Sequence, residues 1–265
     1  LAGTLAEIAR HTLKNESRHI DLARAGVQLI EAGPRVLASF APELSEKAAA
    51  QLRRLGVQVL TGSAVQHIDS EGYTRGGERV PAKTVLWAAG VAASPLGAML
   101  GAPQDRAGRV QVQPDLTVPG LPNVFVAGDL ATLMQANGKP VPGVAPAAKQ
   151  MGAHVATLIG AHLAGRADST PFVYRDWGNM ATIGRMAAVV DMPGGFKFSG
   201  VVAWWFWLAA HVFFLIGFRN RLIVLMNWAW AYWTYARHAR VVFGAGQADD
   251  MPLQAQRSGP SQSTS

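Results

Sequence analysis

The sequence has no cysteine among its 265 residues. Disulfide bonds, thiolate metal sites and dithiol redox chemistry are therefore excluded from this stretch of chain, and we expect no metal site. Acidic residues are missing from one long segment, since no Asp or Glu lies between Asp191 and Asp249. The net charge of +7 is thus concentrated around the most apolar part of the chain. This distribution favours an anionic membrane surface over nucleic acid as the partner.

A glycine-rich phosphate-binding loop and an initiator methionine are missing as well. Residues 1–13 predict an amphipathic helix that begins without a cap, a charged leader or a cleavage site. We therefore expect no signal peptide and an N-terminally incomplete chain.

Strands and helices alternate through the first 90 residues, which is typical of an α/β fold with a parallel sheet. The predicted elements are a strand over residues 26–33, a helix over 42–55 that ends at Gly56, a strand over 57–60, a glycine-rich hairpin around 71–80 and a core strand over 84–90. Further along, residues 172–191 predict two short strands of a small C-terminal sheet, with Arg185 on its solvated edge.

Residues 123–131 read NVFVAGDLA, which predicts a short buried strand of a parallel sheet that ends at Gly128 and Asp129. Glycine lets the backbone come close to a ligand, and an Asp at the carboxyl end of such a strand can accept hydrogen bonds from sugar-type hydroxyls. The alternative is that Asp129 caps a helix that begins at Leu130. Spacing alone supports the two interpretations equally.

Glu31 closes the predicted strand over residues 26–33. In a Rossmann unit, an acidic residue at the end of the second strand accepts both adenosine ribose hydroxyls and repels the 2′-phosphate of NADP. A solvent-facing Glu is the simpler alternative. Arg35, four residues on, could contact a phosphate and weighs against a preference for NADH. Ala89 and Gly90 end the strand over 84–90, either beside a nicotinamide or in an ordinary turn.

The C-terminal quarter is apolar and aromatic. Residues 198–218 form an uncharged run of 21, about the length of a membrane-crossing helix, whereas residues 222–236 are too short to cross. Six of the eight Trp lie between Trp204 and Trp233, with Arg237, His238 and Arg240 beyond them. A spanning helix with an interfacial one, and a helical hairpin in one leaflet, are both favoured over a buried soluble helix. His211 is expected to hydrogen-bond within the helices, with a quinone contact as the minor alternative.

Motifs in this order resemble those of a type II NADH dehydrogenase, the single-subunit NADH:quinone oxidoreductase that pumps no protons. They are LIEAGPRVL around Glu31, WAAGV, NVFVAGDLA, the helix start APAAKQMG, the hairpin MATIGR and the basic, aromatic C-terminus. The similarity covers about residues 1–243. Each motif is shared with many flavoproteins, and the membrane-binding end attached to them is specific.

The resemblance implies an α/β flavoprotein with two Rossmann-like dinucleotide-binding domains and a C-terminal membrane-associated helical hairpin. It divides the chain into a partial NADH-binding domain, the second half of the FAD-binding domain with the small sheet, membrane-binding helices and a disordered tail, over residues 1–95, 96–196, 197–243 and 244–265. The implied location is the cytoplasmic face of the plasma (inner) membrane, where the protein would bind anionic lipids. Its association with the membrane would be monotopic or single-span, and the resemblance also allows a homodimer.

FAD and NADH are the implied cofactors, with hydride transfer from NADH to FAD followed by two-electron transfer to a membrane quinone. Carried over residue by residue, Glu31 would bind the NADH ribose, Ala89 and Gly90 would lie near the nicotinamide, and Gly128 and Asp129 would bind FAD. Alternatives are an FAD-dependent NAD(P)H oxidoreductase with another acceptor and an inactive membrane-anchored module.

The helix that begins near Ala145 would direct its N-terminus toward the isoalloxazine ring, with Ala147 and Ala148 beside the flavin. Lys149 and Gln150 would then be the catalytic residues at the border of the flavin and quinone sites. Many members of the family carry a Gln where this chain has Pro146. Only Gln150 remains of that pair, which puts the shape of the quinone pocket in question.

Overall fold

The computed structural model describes residues 1–12, 26–214 and 218–234. The helices are α1 (Ala2–Glu7), which continues as a π-helical turn (Ile8–Thr12), α2 (Pro42–Arg54), α3 (Leu96–Met99), α4 (Ala145–Leu163), α5 (Val201–Phe214) and α6 (Phe218–Thr234). The strands are β1 (Val27–Glu31), β2 (Val57–Thr61), β3 (Val65–Asp69), β4 (Gly72–Arg75), β5 (Glu78–Pro81), β6 (Val110–Gln111), β7 (Thr117–Val118), β8 (Leu121–Phe125), β9 (Ala131–Thr132), β10 (Asn179–Gly184), β11 (Ala187–Asp191) and β12 (Lys197–Gly200).

The first unit is a β-α-β unit that agrees with the sequence prediction. Strands β1 and β2 pair in parallel, with Val27 opposite Val57, and α2 connects them. Helix α2 begins with a proline in its first turn and buries Leu44, Ala48 and Leu52, which recur every four residues and so lie on one face. Gly56 follows with a φ of +76°, the left-handed conformation that commonly ends a helix. Strands β4 and β5 form the expected glycine-rich hairpin, and β3 adds a third strand that was not predicted.

The predicted core strand over residues 84–90 is wrong. Within the described residues this segment pairs with no strand, and the side chains of Leu86 and Trp87 are 54% and 68% exposed. Strand β5 ends at Pro81, which has no backbone N–H for a further ladder bond. Apolar composition alone therefore does not predict a core strand, because an extended segment also needs the edge of a neighbouring strand to pair with.

The prediction for residues 123–131 needs two corrections. Strand β8 is not buried on both faces: its first three residues are exposed, and it pairs with β7 in antiparallel orientation. No helix begins at Leu130 either, because residues 128–130 form a single 3₁₀ turn that leads directly into β9. Asp129 makes no capping hydrogen bond there, so the helix-cap interpretation is wrong.

The C-terminal sheet has three antiparallel strands in the order β10, β11, β12, one more than predicted. Because β12 takes residues 197–200 and ends at Gly200 with a φ of +84°, the predicted continuous helix over residues 198–218 is wrong, and α5 begins only at Val201. Among the described helices, none has both the length and the apolar character needed to span a bilayer. Residues 235–265, which include Arg237, His238, Arg240 and the predicted tail, lie outside the described residues.

Helices α5 and α6 pack on each other as a pair. The indole rings of Trp207 and Trp228 stack with centroids 5.8 Å apart, and Arg221 donates a hydrogen bond from Nη2 to the Phe213 carbonyl at 2.7 Å. As expected, His211 is bonded within the helices: its Nδ1 lies 2.9 Å from the Trp207 carbonyl, and its ring lies against that indole.

The C-terminal sheet is attached to the first unit through its backbone and through charged side chains. Gly3 of α1 lies so close to β10 that an added Cβ would overlap the Ile183 carbonyl. The Lys197 ammonium lies 3.0 Å from the Glu43 carboxylate, which raises the pKa of Lys197. Ala41, the residue before α2, donates its backbone N–H to Asp191 Oδ2 at 3.2 Å. Asp191 therefore caps α2 from β11 by accepting this N–H and by placing a negative charge near the positive end of the helix dipole.

Replacing Asp191 with Ala should lower the free energy of unfolding by about 1 kcal/mol, the usual effect of losing a helix cap. Urea unfolding followed by circular dichroism measures the change. Glu78→Gln, which removes an exposed carboxylate from the β3–β5 sheet, is the control and should be neutral. Equal stabilities for the Asp191→Ala variant and the unsubstituted protein would contradict the assigned cap.

Candidate functional site

A cavity of about 330 Å³ lies between the 3₁₀ turn and the first turns of α4. We call it the Gly128 cavity. Its lining comes from residues 90–93, from Ala107 and Arg109, from Gly128, Asp129 and Ala131, and from residues 141–144, Ala147, Ala148 and Met151. The structure thus brings together five of the predicted cofactor-binding residues, which are Gly90, Gly128, Asp129, Ala147 and Ala148.

The turn at the centre of this cavity requires glycine. Gly128 has a φ of +74°, in the left-handed region that side-chain-bearing residues avoid, and its N–H donates to the Met151 sulfur at 3.3 Å. This contact fixes the turn on α4. The exposed Asp129 carboxylate makes no hydrogen bond within residues 1–12, 26–214 and 218–234 and is available to accept from a ligand.

Helix α4 forms the opposite wall. Its first residue follows Val144, whose extended conformation directs the chain into the helix, and Pro146 fits the first turn because its missing N–H is not needed there. Ala147 is 2% exposed, and both Ala147 and Ala148 end in a single methyl group. A flat ligand can therefore approach the positive end of the helix dipole closely.

Arg109 also lines the cavity, and sequence reasoning missed it. Its Nε and Nη2 both donate to Asp105 Oδ2 at 2.7 Å. Burial acts to raise the pKa of Asp105, but the backbone N–H groups of Arg109 and Ala107 and the Arg109 guanidinium outweigh it, so the pKa lies below its ordinary value. The DRAGR stretch was an available signal, because an acid and a base four residues apart around a glycine commonly close a turn.

The predicted nicotinamide pair is divided by the structure. Gly90, with a φ of +111°, lines the Gly128 cavity together with Asp129, whereas the exposed Ala89 does not line it. The WAAGV segment therefore contributes to the same cavity as the predicted FAD residues.

Glu31 lies where predicted, at the end of β1. Its Oε1 accepts a hydrogen bond from the Gly33 N–H at 2.8 Å, which turns the carboxylate over the start of the following loop. Arg35 is held by that loop, because its Nη1 donates to the Phe40 carbonyl at 2.9 Å and its Nη2 to the Ala38 carbonyl at 2.8 Å. The guanidinium that the sequence offered as a phosphate contact is thus occupied by the protein's own backbone.

The predicted catalytic residues Lys149 and Gln150 do not line the Gly128 cavity. Gln150 borders a second, more open cavity of about 330 Å³, which we call the Trp177 cavity and which Ala153, His154, Phe172, Val173, Arg175 and Trp177 complete. The Gln150 amide donates to the Arg175 carbonyl and accepts from the Arg175 N–H, both at 3.0 Å. Its described contacts therefore attach residues 172–177 to α4. Lys149 is exposed on the same helix.

The α4 residues that bond to the backbone of residues 168–175 recur along the helix at helical spacing. Four residues after Gln150, His154 Nε2 lies 2.9 Å from the Thr170 carbonyl, and eight further on, His162 Nε2 lies 3.2 Å from the Asp168 carbonyl. Leu158, at the intervening position, is buried. One face of α4 thus orders the segment that carries Phe172 and Trp177. Within the described part of the chain, no group of acidic and histidine side chains could hold a metal ion.

Comparisons with known proteins agree with this architecture. The pyridine nucleotide-disulphide oxidoreductase family profile matches residues 2–152, and the profile described as NDH2 C-terminal domain matches residues 177–235. The type II NADH:quinone oxidoreductase Ndh of Mycobacterium tuberculosis is 44% identical over 239 residues, which cover 86% of this chain and 50% of that protein. NdhA of the same organism is 42% identical over 251 residues, which cover 89% of this chain and 52% of that protein.

Among solved structures, that of NDH2 from Plasmodium falciparum in complex with NADH matches with a TM-score of 0.75 at 17% identity, over 86% of this chain and 63% of that one. This likeness supports the fold. The chain spans about half the length of the curated relatives it matches.

Because Gln150 bonds to the backbone of Arg175, its replacement should expose the Arg175 amide to hydrogen exchange. In Gln150→Leu, the Arg175 amide should exchange its hydrogen about fivefold faster, the rate equivalent of one lost hydrogen bond of about 1 kcal/mol. Gln150→Glu keeps an acceptor for that amide and should leave its exchange slow. Hydrogen exchange followed by NMR measures both. Slow exchange in the Leu variant would contradict the role of this contact.

Proposed function

Since the chain belongs to the type II NADH dehydrogenases within the pyridine nucleotide-disulphide oxidoreductase family, we propose that the full-length protein is an NADH:quinone oxidoreductase. The observation that carries the proposal is the Gly128 cavity, which is lined by a left-handed glycine, a carboxylate and the start of a long helix. FAD, when bound, supplies the chemistry by accepting a hydride from NADH and giving two electrons to the quinone.

The residues of the Gly128 cavity fit part of FAD. The Asp129 carboxylate has no hydrogen bond of its own within the described residues and suits the hydroxyls of the ribityl chain. Gly128, Ala147 and Ala148 leave the backbone accessible to a flat ring. The positive end of α4 favours the negative charge that a reduced flavin carries. Holding and orienting the cofactor is thus the role of Gly128, Asp129, Ala147 and Ala148.

Glu31 selects NADH in this proposal. Its carboxylate, at the end of β1, accepts hydrogen bonds from the adenosine ribose and repels a 2′-phosphate. The hydrogen bonds of Arg35 to the Ala38 and Phe40 carbonyls support this selection, because they hold the nearest following cation within its own loop. Ala89 and Gly90 complete the side from which NADH approaches the flavin.

The quinone is proposed to approach along α4, where Lys149 and Gln150 follow directly on the residues of the Gly128 cavity. The bonds of Gln150 to the Arg175 backbone support a positioning role, because they hold the apolar wall that contains Phe172 and Trp177. Lys149, the residue before Gln150, places a positive charge on the exposed surface of α4.

The α5–α6 pair is proposed to bind the surface of the plasma (inner) membrane from its cytoplasmic face. Apolar side chains on the two helices are largely exposed, with Val202 at 71%, Phe213 at 67%, Met226 at 64% and Trp230 at 63%. Exposed apolar side chains favour contact with a bilayer, and aromatic rings favour its headgroup region. The exposed Arg219 can contact anionic lipids. The binding is monotopic.

The proposed function predicts quinone-dependent NADH oxidation by the full-length protein in vesicles. NADH absorbance should fall only when a quinone is present in the bilayer, and the rate should rise when anionic lipid is added to a zwitterionic bilayer. Bound FAD is quantified in the same sample. FAD-loaded protein that oxidises NADH with a soluble acceptor and not with quinone would show that the acceptor is a different one.

Glu31→Gln should raise the KM for NADH roughly tenfold or more with little change in kcat. This is expected when the lost charged acceptor binds the nucleotide equally well in the ground state and in the transition state. The same variant should lower the KM for NADPH by a much smaller factor than it raises the KM for NADH. Arg35 remains bonded to its own loop and does not become a contact for the 2′-phosphate. Steady-state kinetics with both nucleotides measure the change, and Glu78→Gln is the control. An unchanged KM for NADH would remove Glu31 from the site.

A further inference from the structure

The Gly128 cavity contains one charge of each sign. Among the described residues that line it, Arg109 carries the positive charge and Asp129 the negative one. Both residues come just before a strand: Arg109 directly precedes β6, and Asp129 lies two residues before β9. Strands β6 and β9 pair in parallel, with Val110 opposite Ala131. The strand pairing therefore brings both charges to one end of the β6–β9 pair.

The turn before β6 fixes the Arg109 backbone. Gly108, with a φ of +80°, donates its N–H to the Asp105 carbonyl at 3.0 Å, and the Asp105 N–H donates to the Arg109 carbonyl at 2.9 Å. Asp105 Oδ1 accepts from the N–H groups of Ala107 and Arg109 at 2.9 and 3.0 Å. The next residue, Val110, is fully buried. Arg109 thus lies between a closed turn and a buried strand residue, and both hold its backbone in place.

The same carboxylate orients the guanidinium. Asp105 Oδ2 takes one hydrogen from Nε and one from Nη2, both at 2.7 Å. A guanidinium has five N–H donors, so three remain beyond these two bonds. The Arg109 side chain is 29% exposed, enough for those donors to meet a ligand.

FAD has a hydroxylated chain that leads to a diphosphate. A carboxylate such as Asp129 can accept from the hydroxyls, but it repels phosphate oxygens, so a cavity that holds both parts benefits from a cation at a distance from the carboxylate. The planar fork of Arg matches phosphate oxygens better than an ammonium does. We infer that Arg109, held in place by Asp105, is a binding residue for the diphosphate of FAD, an inference that rests on the proposed FAD-dependent function.

The test measures FAD binding by the full-length protein, with no NADH or quinone present. FAD is removed, and the dissociation constant is determined by titrating FAD against the quenching of flavin fluorescence at low and at high salt. Arg109→Gln should weaken FAD binding at least tenfold and flatten the dependence on salt. Asp105→Asn, which loosens the guanidinium, should give a smaller loss. Arg106→Gln, in the same turn but exposed and outside the cavity lining, is the matched control and should bind FAD normally.

Arg109→Lys separates charge from shape, because it keeps the positive charge and should recover part of the affinity. An Arg109→Gln variant that binds FAD as tightly as Arg106→Gln does would overturn the inference, and so would a Lys variant as weak as the Gln variant. If Arg109→Gln fails to fold, the unsubstituted protein decides: its FAD affinity must fall with salt, and a salt-independent affinity rejects the diphosphate contact. Normal FAD binding without a quinone-dependent rate would instead reject only the proposed function.

Discussion

The left-handed backbone at Gly128 determines how the candidate site is assembled. A residue with a Cβ would cost about 1 kcal/mol or more at a φ of +74°, so glycine alone adopts this turn readily. The turn is held on α4 by the bond from its N–H to Met151, and β9 follows immediately and pairs with β6. Asp129, Arg109 and the first turns of α4 therefore meet because a turn of only three residues leads directly into β9.

Strand β11 has a comparable role for the C-terminal part of the chain. Its side chains alternate between two cores: Val189 packs with α1 and α2, whereas Ala188 and Val190 pack with Ala203 and Trp204 of α5. One strand thus lies between the unit that contains Glu31 and the helices with the exposed apolar surface. The Asp191 contact with the backbone before α2 and the Lys197–Glu43 pair fix the same junction at its polar edge.

The sequence predicted well the elements that depend on local patterns. The position of α2, its end at Gly56, the end of β1 at Glu31 and the β4–β5 hairpin follow from local patterns and turn residues. The errors involve pairing between distant segments. Residues 84–90 and β8 are apolar enough to be core strands, but a strand is buried only where a neighbouring element covers it. Residues 198–200 were predicted to be helical and instead pair with β11 as part of a strand. Arg109 was missed because two short strands bring it to Asp129 from 20 positions away in the chain.

The two cavities lie on adjacent sides of one helix, and this explains how the catalytic prediction and the structure differ. Ala147 and Met151 form one stripe of α4 toward the Gly128 cavity, and Gln150 and His154 form the next stripe, about 60° around the helix, toward the Trp177 cavity. Adjacent sequence positions thus serve different cavities. Pro146 lies in the first turn, before these stripes begin, and leaves the bonds of Gln150 to Arg175 intact. The wall of the Trp177 cavity therefore forms without the Gln that Pro146 replaces.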